Sequence, residues 1–338
     1  MLVITNCLTD VVDEGCLKVA NSLVKRLKEA KSDIEVVSYE RQSELTDTYV
    51  QVNKFLTNKC IRQACRKHND VLYLPFPTRK WVMAMRVYLL SKFTKKLRVV
   101  LVLKTPVGVL SKLLLKRSGA GIVVFSRDAA EFYGEIVGAQ RVTYVNTGVD
   151  TQKFFPVSQE QAAQLKRKYG FDPDRKLVLH VGHLNEGRNL RQLLKIPEEY
   201  QVLLVTSTLT KDKADLALKQ ELLSKANIRI MDDYVPQIQE LYQLSDVYFF
   251  PVAESGHCID VPLSCMEAAA CNKPIVTTRF GEMKALDGVR GVCYLDAFDD
   301  QTIQQMISAA VCMDGVKTRE AVLAYDWQKT IAEFNEVQ

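Results

Sequence analysis

A cation follows a glycine in the segment 177–194, which reads LVLHVGHLNEGRNLRQLL. Gly182 comes directly after a buried strand and permits close approach of a ligand to the backbone. Arg188 supplies a permanent positive charge with a forked set of donors. The pattern predicts that a helix begins near Arg188, and its N-terminus would add free N–H groups and partial positive charge. These features suit a diphosphate. The alternative, a solvated surface arginine, is equally compatible with this segment.

Two carboxylates lie in the segment 246–278, DVYFFPVAESGHCIDVPLSCMEAAACNKPIVTT. A strand ends at Pro251, and a loop of roughly ten residues leads to an apolar helix; long loops at strand ends often carry function. Glu267 lies inside that helix and needs a partner, because a carboxylate is costly in apolar surroundings. The partner is either the vicinal hydroxyls of a ligand, an arginine or solvent. Asp260 precedes it in the loop, either as a ligand-binding residue or as an ordinary loop or cap aspartate.

Histidines and cysteines form no metal-binding pattern. The chain has 4 His and 9 Cys without a CxxC pair, and His180 with His183 are too few ligands for zinc. The scattered cysteines are typical of free thiols in a reducing cytoplasm. No G-x-G-x-x-G follows a strand, which argues against a dinucleotide oxidoreductase. We therefore expect neither a bound metal nor a cofactor.

The charge is unevenly distributed along the chain. Residues 1–150 hold 24 basic and 14 acidic residues (net +10), whereas residues 151–338 hold 21 and 26 (net −5). Between Asp70 and Asp128 there are 12 lysines and arginines and no acidic residue, with Trp81, Tyr88 and Phe93 among the cations. Such asymmetry indicates an anionic partner for the first half.

Three interpretations of the basic segment 78–118 are open. We favour an anionic membrane surface, because cationic helices with apolar faces bind there. The second is a solvated helix face beside an ordinary core. The third is nucleic acid, but no zinc-finger, RNP or helix-turn-helix pattern supports it, so we expect no such partner. The chain shows no signal peptide and no apolar run long enough to span a membrane. We expect a cytoplasmic protein, peripheral at the inner face of the membrane if the first interpretation holds.

Short apolar runs that alternate with helical patterns must position these residues. Twelve strands are predicted, six in each half of the chain: Leu2–Thr5, Ile34–Ser38, Val71–Pro75, Val99–Leu103, Ile122–Ser126, Thr143–Val145, Leu177–Val181, Val202–Thr206, Ile228–Met231, Val247–Phe250, Ile275–Thr277 and Val292–Leu295. Helices are predicted over Gly15–Ala30 and Gln159–Tyr169, and from points near Asn189, Asp212, Ile238 and Ser264. The alternation predicts parallel sheets covered by helices on both faces.

This alternation of strands and helices predicts two doubly wound domains. The polar turn at 149–158 is the best boundary between them. Ligands of such sheets bind where the carboxyl end of a strand leads to a helix N-terminus. With two facing domains, the cleft between them is the expected site.

The ordered set of motifs resembles the retaining family-four glycosyltransferases. VGHLNEGRNL is similar to the family's VGRL followed by a lysine, and PLSCMEAAACNKPIVTT is similar to its P-L-x-x-x-E-A-M-A-x-G-x-P-V-V-x-T. Three further segments resemble the family's remaining motifs: IRIMDDYVPQIQELYQLSDVYFFP, FSRDAAEFYGEIVGAQRVTYVNTGVDTQKFFP and Tyr325–Trp327. The resemblance is clear over residues 121–338, and over residues 1–120 it extends only to the pattern of elements.

The resemblance implies the α/β class and the GT-B fold, in which two Rossmann-like, doubly wound domains face each other across a cleft. The implied domains are residues 1–155, completed by a C-terminal helix over 325–338 and carrying the acceptor, and residues 156–324, carrying the donor. The implied activity is transfer of a sugar from a UDP- or GDP-linked donor to an acceptor with retention of configuration. Together with the basic segment, this suggests a lipid-linked acceptor and a role in polysaccharide or glycolipid synthesis.

The resemblance also implies roles for individual residues. Arg188 would bind the diphosphate, Gly182 would allow the donor close to the backbone, and His183 stands where the family has an arginine. Glu267 would hold the donor ribose. The remaining donor contacts would be main-chain groups: those of Leu263 and Ser264 at the diphosphate, those of Tyr234 and Val235 at the nucleobase, and the close-approach turn at Gly15.

The sequence departs from the family at the loop carboxylate. The family's first glutamate falls on Ile259, so we expect the neighbouring Asp260 to act on the sugar, with Glu254 as the alternative. On the acceptor side, Lys104 and Thr105 are candidates by position after their strand. The rival functions are a sugar-nucleotide epimerase of the same fold and a non-catalytic binding subunit, the latter suggested by Ile259 and His183.

Overall fold

The computed structural model describes residues 1–76, 80–209, 214–253 and 258–336. The chain divides into two compact units. Unit 1 comprises Met1–Gly148 together with Trp327–Gln338, and unit 2 comprises Val149–Asp326. The sequence prediction had the corresponding boundaries after residue 155 and before residue 325. Within the described ranges, no helix has both the length and the apolar character needed to cross a membrane.

Thirteen described strands form two sheets. They are β1 Leu2–Thr5, β2 Glu35–Ser38, β3 Thr48–Tyr49, β4 Asp70–Leu74, β5 Lys96–Leu101, β6 Gly121–Val124, β7 Val142–Tyr144, β8 Leu177–Val181, β9 Gln201–Val205, β10 Ile228–Met231, β11 Val247–Phe250, β12 Ile275–Thr277 and β13 Val292–Tyr294. Unit 1 has the order β3-β2-β1-β4-β5-β6-β7 and unit 2 the order β10-β9-β8-β11-β12-β13. Every pair is parallel. In both sheets the order of the strands therefore reverses beside the strand that comes first in the chain, β1 or β8. Ligands of such sheets bind at this point.

Twelve described α-helices connect the strands. They are α1 Gly15–Ala30, α2 Lys59–Lys67, α3 Lys80–Leu90, α4 Val109–Ser118, α5 Arg127–Val137, α6 Gln159–Lys168, α7 Leu216–Leu223, α8 Ile238–Leu244, α9 Leu263–Ala270, α10 Asp300–Val311, α11 Thr318–Val322 and α12 Trp327–Glu336. Two of them are preceded by a serine whose side chain caps the helix N-terminus. Ser126 caps α5, and Ser158 with Gln161 forms a capping box on α6.

The sheet of unit 2 is buried on both faces. Alternate residues of β8 belong to two separate apolar clusters: Leu177 and Leu179 to one, Val178 to the other. Alternation along a strand places side chains on opposite faces. Each face is therefore covered, and the predicted class, α/β with two doubly wound parallel sheets, is confirmed.

All twelve predicted strands are present, with ends displaced by at most three residues. The two-residue strand β3 was not predicted, because two exposed residues at a sheet edge carry no hydrophobic periodicity. The helix predicted near Arg188 and Asn189 is wrong, as described below. The helix predicted near Asp212 starts at a point outside the described residues, and α7 begins at Leu216.

Candidate functional site

Gly182 brings the backbone of unit 2 close to two polar side chains. It follows β8, and its N–H donates to the Val205 carbonyl at 3.0 Å. A Cβ atom at this position would lie 2.8 Å from Nε2 of His180 and 3.6 Å from Nη1 of Arg188. Since contacts under 3.0 Å are sterically excluded, only glycine fits without displacing the imidazole.

Arg188 is a buried cation that forms no ion pair in the described part of the chain. Its residue exposure is 7%. No described carboxylate forms an ion pair with it, its Nε atom has no described hydrogen-bond partner, and its guanidinium contacts the thiol of Cys258. A buried charge of this kind is costly unless it is paired. The solvated-surface interpretation of Arg188 is thus wrong, and the site is suited to an anion.

The helix predicted to begin near Arg188 is replaced by two 3₁₀ turns, Glu186–Arg188 and Leu190–Lys195. Asn189 separates them with a left-handed φ of 56°, and its side-chain amide donates to the Pro251 carbonyl at 3.1 Å. An α-helix cannot run through that conformation. The attraction for an anion at this point therefore comes from the guanidinium rather than from a helix dipole.

The loop residue Asp260 lies near the same thiol as Arg188. Burial raises the pKa of the Cys258 thiol, the Arg188 charge opposes that rise, and the Asp260 charge adds to it. The Asp260 carbonyl accepts a hydrogen bond from the Glu282 N–H at 2.8 Å. Gly281, at a φ of 51°, lies so close to this carbonyl that a Cβ would clash with it. The turn at 281–282 therefore holds the Asp260 backbone in place.

The other two candidates at the loop differ from Asp260. Ile259, which the resemblance aligns with the family's first glutamate, is buried. Glu254 lies outside the described residues. The choice between Asp260 and Glu254 accordingly stays a prediction.

Glu267 has a partner that the sequence analysis did not propose. The carboxylate is buried in α9 and accepts a hydrogen bond from the Tyr242 hydroxyl at 2.6 Å. Burial, and then the Glu267 charge, raise the pKa of Tyr242 well above its usual value, so the phenol remains a donor. This bond fixes the orientation of the Glu267 carboxylate.

The N-terminal turn of α9 has no side-chain cap. Pro262 is the cap residue and offers no side-chain acceptor, whereas Ser264 directs its hydroxyl to Tyr248. The first N–H groups of an α-helix have no intrahelical partner and carry partial positive charge. The main chain at Leu263 and Ser264 is therefore suited to a phosphate, as the resemblance implies.

His180 is a component of the site that sequence reasoning missed. It is fully buried, its Nδ1 lies 2.8 Å from the Phe249 carbonyl, and its Nε2 has no described partner. Burial lowers its pKa to about 4, and the Arg188 charge contributes. The neutral ring stacks on Tyr248 and Phe250, with centroids 6.4 and 5.9 Å apart. The sequence signal that could have indicated this residue is a single histidine within the otherwise apolar strand LVLHV. Within the described residues, no cluster of three potential ligands for a metal occurs.

The remaining candidates of unit 2 are near the site in sequence rather than by described contacts. His183 follows Gly182 and is half-buried. Tyr234 and Val235 lie in the loop after β10, the former 41% exposed and the latter packed against the core. Their predicted roles at the diphosphate and the nucleobase stay predictions.

In unit 1 the predicted candidates have local partners. Gly15 is the first residue of α1, and the Glu14 carboxylate accepts the Leu17 N–H at 3.0 Å. This helix terminus therefore already holds a negative group. Lys104 forms an ion pair with Asp128, and the Thr105 N–H donates to the Tyr133 hydroxyl at 3.2 Å.

Comparisons with known proteins agree with this architecture. Residues 175–311, which include Arg188 and Glu267, match the family model described as Glycosyl transferases group 1. A D-inositol 3-phosphate glycosyltransferase of Corynebacterium urealyticum is 25% identical over 219 residues, 58% of this chain and 50% of that protein. The chain thus spans about half the length of that curated relative.

Two solved structures are similar over nearly their whole length. A glycosyltransferase of Rickettsia africae superposes with a TM-score of 0.76 at 14% identity, covering 99% of this chain and 97% of that one. Anabaena HepE, in complex with UDP and glucose, superposes with a TM-score of 0.77 at 12% identity, covering 99% and 98%. The chain therefore has the GT-B fold, and its residues 175–311 carry the sequence pattern of Glycosyl transferases group 1.

Proposed function

We propose that this protein is a glycosyltransferase that takes a sugar from a nucleotide-diphosphate donor. The observation that carries the proposal is the buried guanidinium of Arg188, which forms no ion pair with a described carboxylate and lies inside the segment that matches Glycosyl transferases group 1. A donor diphosphate supplies the missing negative charge. Because a leaving nucleotide gains charge at its diphosphate, the same guanidinium stabilises the transition state.

In this proposal the other site residues each bind a different part of the donor. The N–H groups of Leu263 and Ser264 bind the second phosphate, and the Glu267 carboxylate, oriented by Tyr242, accepts the ribose hydroxyls. Asp260 positions the transferred sugar. Arginine and helix N–H groups take the place that a metal has in other transferases, so the proposal requires no metal ion.

The proposed donor is UDP- or GDP-linked, and the proposed outcome is retention of configuration. HepE is described with UDP, UDP-glucose and glucose, which supports UDP as the first donor to test. Retention is proposed from the resemblance to family-four enzymes.

The proposed acceptor is lipid-linked, for polysaccharide or glycolipid synthesis at the inner face of a cytoplasmic membrane. The support is the charge of the first half: no acidic residue occurs between Asp70 and Asp128, and 12 cations do. An anionic leaflet attracts such a surface.

A panel of UDP- and GDP-sugars, tested by thermal stabilisation and then by product analysis, separates the candidate functions. Ligand binding raises the melting temperature by mass action. A glycosyltransferase transfers the sugar, an epimerase returns an isomerised nucleotide sugar, and a binding subunit is stabilised without turnover. If no nucleotide sugar stabilises the protein, the proposal is wrong.

A further inference from the structure

Helix α4 divides its side chains sharply between two faces. At about 100° per residue, the side chains of Ser111, Leu114, Leu115 and Ser118 share one face, and all four are buried. The opposite face is exposed and combines apolar with basic residues: Val109, Leu110, Lys112, Leu113, Lys116 and Arg117. The inner face of the helix therefore packs against the protein, and its outer face exposes both apolar and basic side chains to solvent.

The exposed apolar residues of α4 are unusually open to solvent. Val109 is 87% exposed, Leu110 58% and Leu113 42%. On the helix Val109 and Leu113 occupy the middle of the exposed arc, Lys112 and Lys116 lie along one margin, and Arg117 and Leu110 lie along the other. Solvent alone does not favour three large apolar side chains within two turns, whereas a bilayer interface favours an exposed face that combines apolar side chains with basic ones.

The sign of the charge on α4 itself restricts what can cover this surface. Helix α4 has no acidic residue, and none occurs between Asp70 and Asp128. We propose that the exposed face of α4 binds the headgroup and upper acyl region of an anionic lipid bilayer. This inference rests on the proposed lipid-linked acceptor and assigns its membrane contact to specific side chains.

The position of α4 fits the delivery of an acceptor. The helix begins eight residues after the carboxyl end of β5, at the edge of the sheet where ligands of such folds bind. Lys96 instead begins β5 at the opposite edge, and Lys92 lies over the Tyr88 ring at 4.7 Å. The cations at 92–96 therefore serve as a comparison for α4 within the same basic segment.

Co-sedimentation of the full chain with vesicles tests this assignment. Vesicles of phosphatidylcholine are compared with vesicles that contain about 30% phosphatidylglycerol, whose surface is strongly anionic. We expect binding only to the anionic vesicles, and weaker binding as salt rises. Leu110→Gln with Leu113→Gln should lower the partition coefficient about tenfold, because two apolar side chains no longer enter the interface. Lys112→Glu with Lys116→Glu should lower it at least as much at low salt.

Two control variants accompany these. Leu216→Gln with Leu223→Gln changes two exposed leucines of α7, which are 69% and 49% exposed, and should leave the partition coefficient within about twofold. The triple variant Lys92→Glu, Lys95→Glu and Lys96→Glu should have a smaller effect than the α4 pair, because attraction decays over about 8 Å at physiological salt. Thermal stabilisation by UDP and GDP is measured on every variant, so a loss of lipid binding is separated from a loss of the donor site.

Three results with vesicles would overturn the assignment: no binding to either vesicle, equal binding by wild type and the α4 leucine variant, or a loss of equal size in the α7 control. Concentration-dependent dimerisation that the α4 leucine variant abolishes would also overturn it, in favour of a second copy of the chain. Nucleotide stabilisation retained in those cases would leave the proposed sugar transfer standing.

Discussion

Two arginines are buried to nearly the same degree, one in each unit, and their surroundings differ. Arg86 on α3 is 6% exposed, and Arg188 after β8 is 7% exposed. Arg86 donates from Nε to the Lys54 carbonyl at 2.8 Å and from Nη1 to the Tyr39 hydroxyl at 3.3 Å, with Glu40 at 4.0 Å from Nη2. Arg188 contacts the Cys258 thiol and has an unpartnered Nε.

The difference separates a structural arginine from a binding arginine. Burial by itself does not indicate a ligand site, because Arg86 is buried with its donors used and its charge offset. Arg98 makes the same point, since its Nε is also unpartnered but its Nη2 pairs with Asp70 at 2.9 Å. The distinguishing property of Arg188 is a buried charge that forms no ion pair with a described carboxylate. Four predictions test this distinction.

Replacing Arg188 should have the largest effect on function. Arg188→Met removes the charge and keeps much of the apolar stem, so we expect kcat/KM for sugar transfer to fall about 100-fold, the scale of one transition-state charge contact. Stability of the unliganded protein should stay the same or rise, because an uncompensated buried charge is lost. Steady-state kinetics and thermal unfolding measure the two effects. Activity within a few-fold of wild type would remove Arg188 from the site.

Replacing Arg86 should have the opposite profile. Arg86→Met breaks hydrogen bonds from a charged donor and leaves the Lys54 carbonyl and the Tyr39 hydroxyl without that partner, so the free energy of unfolding should fall by about 2 kcal/mol. Nucleotide affinity of the folded protein should not change. Denaturant unfolding and nucleotide titration check this pair of outcomes. An unchanged stability would show that the Arg86 contacts are as dispensable as those of Arg188.

His180 should make unit 2 sensitive to acid. Its folded pKa of about 4 lies below the ordinary histidine value of 6.5, so between these values the unfolded chain binds a proton that the folded chain does not. Stability is therefore complete above pH 6.5 and declines as pH falls toward 4, by on the order of 1 kcal/mol per pH unit. Unfolding measured across this range should show the slope.

His180→Phe is the control for this slope, because it keeps an aromatic ring on Tyr248 and Phe250 without a titrating group. Its stability should depend less on pH than that of the wild type over the same window. In Arg188→Met the total loss of stability at low pH should be smaller, since a charge that lowers the His180 pKa is gone and the folded and unfolded pKa values lie closer together. A slope that is identical in wild type and His180→Phe would contradict the assignment.

Gly182→Ala should have the smallest effect of the four. The added Cβ meets Nε2 of His180 at 2.8 Å, and the resulting shift should disturb the Arg188 guanidinium nearby. We expect nucleotide affinity to fall about tenfold, because small displacements of a binding group are costly. Gly108→Ala is the matched control: its φ is −74° and a Cβ there meets nothing within 4 Å. Calorimetric titration of both variants decides, and equal affinities would argue against a crowded site at Gly182.

Strand positions were predictable from the sequence, whereas the environments of single side chains were not. The runs from Leu177 and Val247 are apolar, β-branched and of strand length, so hydrophobic periodicity located them. The same reasoning failed at Asn189, because a left-handed residue held by a bond to the Pro251 carbonyl is a tertiary effect that local propensity does not contain.

The candidate site shows the same limit. The sequence indicated Arg188, Asp260 and Glu267 by type and by resemblance to a family. It did not indicate that Arg188 is buried or that Tyr242 orients Glu267, because both depend on contacts between residues far apart in the chain. The imidazole of His180 was overlooked for the same reason, since its contacts with β11 are made only in the folded sheet.

Calorimetric titration of UDP and GDP into wild type and Arg188→Met tests the central claim most directly. The account predicts that at least one of the two nucleotides binds wild type, that Arg188→Met binds it at least about tenfold more weakly, and that the unliganded variant is no less stable than wild type. Equal affinity in the two proteins, or a marked loss of stability in the unliganded variant, would show that Arg188 is a structural residue like Arg86 and would contradict the account.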